Sequence, residues 1–300
     1  MSDHRNRLSG VFAPVVTPFR NGEPALDDLR HNLRTLAATG LAGYLALGSN
    51  GEFRSLSDDE QARVLEVFAE ERCGKTVMAG AACESTCHTI EQTKRAARVG
   101  FPYASVLTPS YFARQMTDAV LAGYFEAVAD ASPIPILLYN APGFAGGVQL
   151  STKMVNLLAA HPNIVGMKDS SPAGPGRFLA ALDRSHEFHI LAGSADFFYP
   201  SLHLGAVGGI ISLANALPEP CCEMYRRFLG GDFARALDLH FRLVRLNAAV
   251  SGSHGVAGVK AAMDLAGFRG GEPRHPLLPL TDDEREAIRQ KILAEGFSLE

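Results

Sequence analysis

The sequence predicts an α/β protein, a closed (β/α)8 barrel with a C-terminal helical extension. Eight short apolar or β-branched segments recur along the 300 residues, and a helical pattern follows each of the first seven. The segments are apolar throughout, which is typical of parallel strands covered on both faces. This repetition, in a chain of this length, indicates a closed barrel. An open doubly wound sheet is the alternative, although no glycine-rich nucleotide motif follows the first strand.

The predicted strands are short and lie between helical patterns, as βα units require. In chain order they are VFAPVVTPF (11–19), GYLALG (43–48), TVMAGA (76–81), YASVLTP (103–109), PILLYN (135–140), IVGMKDS (164–170), FHILAGS (188–194) and GGIISLAN (208–215). We therefore expect eight parallel strands, whose carboxyl ends meet at one end of the barrel.

The first two helices carry clear boundary signals. The first is predicted over Ala25 to Thr39, with leucines on one stripe, and it stops at Gly40. The second begins at a capping box formed by Ser57 and Glu60, just before its apolar positions. Each helix therefore has one apolar face to place against the sheet.

Helical patterns continue after the eighth strand, from about Glu219 to the end of the chain. Thr281 and Glu284 form a further capping box, and the proline- and glycine-rich residues 267–280 are predicted to be a loop. We predict barrel strands and helices over residues 1–218. Residues 219–300 hold the last barrel helix and the helical extension, as one structural unit with the barrel.

Composition limits the partners of this protein. A formal net charge of −4 and a pI near 6.2 give no basic patch for nucleic acid. No segment reaches the length of a membrane span, and the polar N-terminus lacks a signal-peptide pattern, so we expect a cytoplasmic protein without membrane contact. The five cysteines fit no zinc or thioredoxin spacing and are predicted to be reduced, mostly packing residues.

Reactive side chains follow three of the predicted strands. Lys168 ends the sixth strand and Tyr139 the fifth, while the turn after the second holds Ser49 and Asn50. Active sites of such barrels lie at the carboxyl ends of the strands. An amine among apolar walls loses solvation of its charged form and becomes a nucleophile toward a carbonyl carbon. With a phenol to move protons, these residues predict Schiff-base chemistry, and the backbone amides of the turn can hold a carboxylate.

Each residue also has a structural interpretation. Lys168 could be solvated or paired with Asp169, and Tyr139 could be a core aromatic. The glycine-flanked GSNGE segment could be only a turn. The coincidence of all three at one end of one barrel favours the catalytic interpretation.

Five segments, in this order and spacing, are TPF, GSNGEF, LTPSYF, LLYNAP and GMKDS. They resemble the dihydrodipicolinate synthase and N-acetylneuraminate lyase family of pyruvate-using class I aldolases. The match covers nearly the whole chain. Longer segments such as AGAACEST, HPNIVGMKDSS and GAVGGIISLAN are similar to the branch that contains 4-hydroxy-2-oxoglutarate aldolase.

The resemblance implies a role for each matching position. Lys168 matches the Schiff-base lysine, Tyr139 the general acid and base, and Ser49 the hydroxyl of the proton relay. Tyr111 matches a tyrosine that reaches into the site of a neighbouring subunit, which implies a homotetramer built as a dimer of dimers. Further positions match residues that bind substrate. Ser49 and Asn50 hold the pyruvate carboxylate, Ser170 and Ser194 contact the rest of the substrate, and the backbone of Ile211 lies by the lysine and the phenol.

Two departures bear on the substrate. Dihydrodipicolinate synthases carry two threonines in the second-strand turn, where this chain has Ser49 and Asn50. They also carry an arginine soon after the Tyr-Asn-x-Pro segment, where this chain offers Phe144 as an apolar wall. These departures argue against an amino-acid semialdehyde as substrate. Phe144 also offers no charge for the distal carboxylate of a diacid.

The implied activity is cleavage of a 4-hydroxy-2-oxo acid to pyruvate and an aldehyde, without a metal or organic cofactor. The expected substrate is 4-hydroxy-2-oxoglutarate, which would release glyoxylate. A 2-keto-3-deoxy sugar-acid aldolase or dehydratase is the alternative, ahead of dihydrodipicolinate synthase and N-acetylneuraminate lyase. A barrel that only senses a 2-oxo acid is the non-enzymatic alternative, but it would not need the lysine and the tyrosine together.

Two weaker features do not change this interpretation. His186 and His189 form the only close histidine pair in the sequence, and no carboxylate pattern near them suggests a metal triad. Lys260 follows a glycine-rich turn but lacks the rest of a phosphate motif, so it is predicted to be a helix surface residue.

Overall fold

The computed structural model describes residues 4–299 of the chain. The strands of its main sheet are β1 Gly10–Pro14, β2 Gly43–Ala46, β3 Thr76–Ala81, β4 Tyr103–Leu107, β5 Ile136–Asn140, β6 Ile164–Asp169, β7 His189–Ala192 and β8 Gly208–Ile210. They form a closed barrel in which each strand lies beside its neighbours in sequence and β1 lies beside β8. The predicted (β/α)8 barrel is therefore confirmed.

Helices separate the strands and continue after the last one. They are α1 His4–Leu8, α2 Leu26–Ala37, α3 Asp58–Glu71, α4 Thr86–Arg98, α5 Asp118–Ala131, α6 Thr152–Ala159, α7 Gly176–Ala181, α8 Phe198–His203, α9 Pro218–Leu229, α10 Phe233–Asn247, α11 Ser253–Leu265 and α12 Asp282–Ala294. A short hairpin pairs Phe19–Arg20 with Glu23–Pro24. In residues 4–299, no helix is both long and apolar enough to cross a membrane.

The chain divides into two compact units. The central unit consists of Thr76–Ile210 and the chain up to Ser9, and it contains β3 to β8. The flanking unit consists of Gly10–Lys75 and the chain from Ile211 onward, and it contains β1, β2 and helices α9 to α12.

In the central unit, close contact between neighbouring strands sets the geometry of the site. Strands β5 and β6 are buried at every position, as expected for parallel strands covered on both faces. At the end of β7, a Cβ added to Gly193 would lie 2.0 Å from Ser170 Oγ and 2.5 Å from the Asp169 carbonyl oxygen. Only glycine therefore allows the two strand ends to approach this closely.

In the flanking unit, the sequence signals for helix starts are confirmed. Ser57 Oγ accepts from the Glu60 amide at 3.3 Å while Glu60 Oε2 accepts from the Ser57 amide at 2.7 Å. The same reciprocal bonds join Thr281 and Glu284 at the start of α12. Helix α2 ends at Ala37, two residues before the predicted end.

The short helix α1 was not predicted from the sequence. The five cysteines are free thiols, as predicted, but they differ in burial. Cys221 and Cys222 on α9 are buried, and burial raises the pKa of the Cys222 thiol to about 12. Cys73 and Cys87 are exposed, so packing explains two of the cysteines and not most of them.

Candidate active site

A lysine and a tyrosine lie side by side at the carboxyl ends of two neighbouring strands in the central unit. Tyr139 on β5 is the register partner of Lys168 on β6. Both side chains are buried, and Lys168 exposes 4% of its surface. Its Nζ lies 4.4 Å from the centroid of the Tyr139 ring, where the π face stabilises a cation. The structure thus brings the predicted amine and phenol together, and their chemical roles stay a prediction.

The carboxylate next to the lysine has other partners. Asp169 accepts from Asn140 Nδ2 at 2.6 Å and from Ser171 Oγ at 2.9 Å, while Asn140 Oδ1 accepts from the Leu150 amide at 3.0 Å. Burial raises the pKa of the Asp169 carboxyl despite these bonds. Successive side chains of a strand point to opposite faces, so Asp169 is directed away from Lys168. Among the described residues no ion pair joins them, and that structural interpretation of the lysine is wrong.

The two serines predicted to contact substrate follow strands β6 and β7. The Ser170 amide donates to the Asn140 carbonyl at 2.8 Å, and Ser170 Oγ donates to the Gly193 carbonyl at 3.3 Å. Ser194 follows Gly193 in the chain, and its Oγ donates to Asp196 Oδ2 at 2.8 Å. The structure therefore brings Ser170 and Ser194 to adjacent strand ends, with neutral hydroxyl groups.

Tyr111 and Phe144 lie on two loops that contact each other. A Cβ on Gly146 would lie 3.3 Å from the Ser110 carbonyl oxygen, which measures this contact. The amides of Ser110 and Tyr111 both donate to Glu84 Oε2 at 2.8 Å, so a carboxylate anchors the Tyr111 loop. The side chain of Tyr111 is 79% exposed and that of Phe144 is 61% exposed. Phe144 therefore has an exposed side chain in this chain, and its role as an apolar wall of the substrate site stays a prediction.

The flanking unit holds the turn predicted to bind a carboxylate. Ser49 and Asn50 begin a 3₁₀ turn directly after β2, and Thr17 Oγ1 holds it by donating to the Gly51 carbonyl at 2.8 Å. Ser49 Oγ and Asn50 Nδ2 are buried and have no hydrogen-bond partner within residues 4–299. A buried polar group without a partner costs about 1–3 kcal/mol, so a hydrogen-bond acceptor that reaches these two atoms would be bound favourably.

Ile211, the remaining predicted residue, also belongs to the flanking unit. It is buried, its amide donates to the Phe12 carbonyl at 3.1 Å, and its carbonyl accepts from the Ala214 amide. Asn215 lies four residues further and bonds the backbone of β1 and its extension, accepting from the Val16 amide and donating to the Pro14 carbonyl. The sequence reasoning did not identify Asn215, although it ends the GGIISLAN segment.

Sequence reasoning also missed a buried ion pair beside the Ser49 turn. Lys260 is 1% exposed, and its Nζ lies 2.5 Å from Glu52 Oε1. The prediction that Lys260 is a surface residue is wrong, because α11 is buried on all sides over residues 258–263. Burial lowers the pKa of the Lys260 ammonium, and Glu52 opposes that shift. The apolar neighbours Val259 and Ala261 were the available signal in the sequence.

His186 and His189 are the histidine pair that the sequence analysis considered as metal ligands. His189 is buried, its pKa is lowered by burial, and its Nε2 lies 3.4 Å from Glu187 Oε1. Over the described part of the chain, no group of three or more His, Cys, Asp or Glu side chains is arranged to hold a metal ion.

Comparison with known proteins adds independent information. The sequence matches the dihydrodipicolinate synthetase family over residues 7–295. A 4-hydroxy-tetrahydrodipicolinate synthase of Methanothrix thermoacetophila is 35% identical over 94% of this chain and 95% of the relative. A probable mitochondrial 4-hydroxy-2-oxoglutarate aldolase of Emericella nidulans is 32% identical over 99% and 97%. An L-threo-3-deoxy-hexylosonate aldolase of Hypocrea jecorina is 34% identical over 94% of each.

Solved structures agree with these relatives. The crystal structure of a dihydrodipicolinate synthase (dapA) superposes with a TM-score of 0.88 at 31% identity and covers 96% of this chain and 99% of its own. A monomeric dihydrodipicolinate synthase variant matches with a TM-score of 0.89 at 27% identity, over 99% and 100% of the two chains. The similarity thus extends over nearly the full length, whereas the relatives are named for different substrates.

Proposed function

The chain belongs to the dihydrodipicolinate synthetase family, and from this membership we propose that it is a Schiff-base-forming aldolase that cleaves a 4-hydroxy-2-oxo acid to pyruvate and an aldehyde. At the level of the family it is a pyruvate-dependent lyase. The observation that carries the finer proposal is the buried Lys168 amine, 4.4 Å from the ring centroid of Tyr139. A sensor of 2-oxo acids would have no use for this pair.

In the proposed reaction, Lys168 Nζ attacks the C2 carbonyl carbon of the substrate. The carbinolamine hydroxyl takes a proton from Tyr139 and leaves as water, so that a protonated imine and the Tyr139 phenolate remain, and the imine then accepts the electron pair of the C3–C4 bond. Tyr139 takes the proton of the C4 hydroxyl as that bond breaks, so the aldehyde leaves and an enamine remains. Protonation at C3 and addition of water then release pyruvate and the free amine.

The substrate carboxylate is assigned to Ser49 and Asn50. Their unpartnered buried atoms support this role, since hydrogen bonds to a charged acceptor contribute about 1.5–3 kcal/mol each. We also assign to Ser49 and Tyr111 the relay of the Tyr139 proton, and to the Ile211 backbone a place beside the reacting groups. These assignments follow the positions of the residues in the family pattern.

For the aldehyde half, we propose 4-hydroxy-2-oxoglutarate, with glyoxylate as the product. Support comes from the GSNGEF and HPNIVGMKDSS segments and from the Emericella nidulans relative, which is named for this substrate. The distal carboxylate would be bound by Ser170 and Ser194 hydroxyls, backbone amides or water, because Phe144 stands where a cation would be needed.

A 3-deoxy sugar acid is the second candidate substrate. Neutral hydroxyl groups on Ser170 and Ser194 suit the hydroxyls of a sugar chain, and the exposed Phe144 leaves that side open to a longer substrate. The Hypocrea jecorina relative is named for a hexylosonate. An amino-acid semialdehyde is disfavoured by the missing arginine.

Covalent trapping tests the shared chemistry. Incubation with pyruvate and borohydride should add one reduced three-carbon unit per chain, on Lys168, and Lys168→Ala should abolish the adduct. Lys153→Ala, at an exposed helix lysine of the same unit, is the matched control and should leave labelling intact. Labelling on another lysine would overturn the mechanism.

Pyruvate release then identifies the substrate. A coupled lactate dehydrogenase assay compares hydroxyoxoglutarate, 2-keto-3-deoxy sugar acids and N-acetylneuraminate, and mass spectrometry separates cleavage from dehydration products. A kcat/KM for a sugar acid about tenfold above that for hydroxyoxoglutarate, or roughly 1.4 kcal/mol, would replace the first candidate by the second.

A further inference from the structure

We propose that the buried Glu52–Lys260 ion pair positions the turn of residues 49–52, and that it thereby presets Ser49 Oγ and Asn50 Nδ2 for the substrate carboxylate. Glu52 and Lys260 are positioning residues and do not touch the substrate. The inference rests on the proposed function, because that function assigns the turn to the carboxylate of a 2-oxo acid.

Glu52 ends the turn in a conformation that needs support. Its φ of 50° and ψ of 38° lie in the left-handed region, which is uncommon for a residue other than glycine. The carboxylate is held at both oxygens: Oε1 lies 2.5 Å from Lys260 Nζ, and Oε2 accepts from the Arg274 amide at 2.9 Å. The side chain of Glu52 is 3% exposed, so solvent does not compete for these contacts.

Lys260 is itself held in one place. Its Nζ donates to the Glu272 carbonyl at 2.8 Å and lies 4.6 Å from the centroid of the Phe19 ring. The loop after α11 packs directly on this residue, since a Cβ on Gly270 would lie 2.1 Å from the Lys260 carbonyl oxygen. Through Lys260, the C-terminal part of the chain therefore holds the turn of residues 49–52 in place.

The same loop also holds the segment that follows the turn. Arg274 donates to the Ser55 carbonyl at 2.7 Å and makes two bonds to the Glu60 carboxylate. The segment from the turn to the start of α3 is thus fixed at Glu52, Ser55 and Glu60. Fixed donors that face a charged group before it binds need no reorganisation on binding, which is the advantage of preorganisation.

Stability alone does not account for this pair. Replacing a buried ion pair by apolar side chains of similar size is often neutral for folding, whereas removing one partner leaves a costly buried charge. The ion-pair contact, 2.5 Å from Lys260 Nζ to Glu52 Oε1, fixes the position of the Glu52 side chain and of the turn that it ends. If the pair has a positioning role, removing both charges should weaken substrate binding. If the pair is only structural, removing both charges should leave substrate binding unchanged.

The double variant Glu52→Gln/Lys260→Met provides the test. It removes both charges and keeps the size of the side chains. We expect KM for the cleaved 2-oxo acid to rise about tenfold or more, the scale seen when groups that orient a binding site are removed, with kcat within about threefold. Borohydride should still attach pyruvate to Lys168, at a correspondingly higher pyruvate concentration.

The matched control is Arg245→Met/Glu295→Gln, which removes another ion pair of the flanking unit, with N–O distances of 2.7 and 2.8 Å. Its KM should equal that of the unmodified chain. If the Glu52 and Lys260 variant folds with the same KM, the positioning role is refuted. If this variant fails to fold, Glu52→Gln/Lys260→Leu carries the same KM test, because it also leaves no unpaired buried charge and has a smaller apolar side chain at position 260.

A readout without catalysis keeps this inference separate from the proposed function. Hydrogen exchange of the peptide over residues 48–55 should accelerate in the double variant and not in the control. An unmodified chain that forms no adduct with pyruvate would refute the proposed function. Unchanged exchange in this peptide would refute the positioning of the turn.

Discussion

At the scale of single residues, the proposed chemistry depends on an amine and a phenol that lie against each other. Lys168 and Tyr139 occupy paired positions on neighbouring strands, and both side chains are buried. The ring of Tyr139 supports the charged amine, while its hydroxyl is the group proposed to move protons. These two roles can be separated by substitution.

Tyr139→Phe keeps the ring beside Lys168 and removes the hydroxyl. We expect kcat to fall about 10²-fold or more, since general acid–base catalysis contributes on that scale. The Lys168 adduct with pyruvate should still form, more slowly, and the thermal midpoint should stay close to that of the unmodified chain. Unchanged turnover would mean that the phenol only packs.

Asp169→Ala tests the network directly after the catalytic pair. The change removes the acceptor to which Asn140 Nδ2 and Ser171 Oγ donate. Each buried group left without a partner lowers the free energy of unfolding by about 1–3 kcal/mol. Urea denaturation measures the loss. Glu126→Ala, at an exposed glutamate of the same unit, should change this free energy by no more than about 0.5 kcal/mol. An equal effect of the two changes would contradict the network.

At the scale of elements, a carboxylate at the start of α3 joins this helix to the C-terminal loop. Arg274 donates to Glu60 at 2.7 and 2.8 Å, and these bonds lower the pKa of the Glu60 carboxyl from 4.5 to about 2. The folded chain therefore binds this proton more weakly than the unfolded chain. The stabilisation is complete above about pH 4.5 and is lost as the pH falls toward about 2.

Glu60→Gln should therefore act mainly at neutral pH. We expect the free energy of unfolding to fall by about 1.5–3 kcal/mol there, and the difference from the unmodified chain to shrink between about pH 4.5 and pH 2. Denaturant titrations across this range measure it, with Glu126→Gln on the exposed face of α5 as the control. A difference that stays constant with pH would show that charge is not involved.

At the scale of the whole molecule, exposed aromatic side chains suggest assembly. Tyr111 and Phe112 are 79% and 62% exposed, and their rings contact each other edge to face at 4.9 Å. Exposed apolar groups that cluster mark interaction surfaces. The resemblance of the sequence places Tyr111 at a subunit interface, so this pair is the expected centre of a two-fold contact.

We expect the chain to sediment as a tetramer, built as a dimer of dimers. Tyr111→Glu/Phe112→Glu should shift the chain toward smaller species and lower kcat, because the shared proton relay is lost together with the contact. His88→Glu, at another exposed position of the central unit, is the control. A fully active monomer would contradict a relay shared between subunits.

Much of the fold follows from local patterns that the sequence displays openly. The strand segments, both capping boxes and the place of Lys168 at a strand end depend on residues close together in the chain, and the structure confirms these features. The Schiff-base lysine and the phenol could be proposed because a parallel barrel brings all strand carboxyl ends to one side. Local sequence patterns and the topology of a parallel barrel were therefore sufficient to predict the strands, the capping boxes and the position of Lys168.

The remaining features depend on contacts between distant parts of the chain. Lys260 lies in a part of α11 that is buried on all sides, and its burial against Glu52 depends on packing between α11 and the turn after β2. The register of β5 and β6 places the Asp169 carboxylate against Asn140 Nδ2 and away from Lys168. The exposure of the Phe144 side chain depends on how its loop folds. The sequence by itself determined the elements and the reactive groups. Tertiary structure decided which charges are buried together, because burial depends on packing partners that no local pattern specifies.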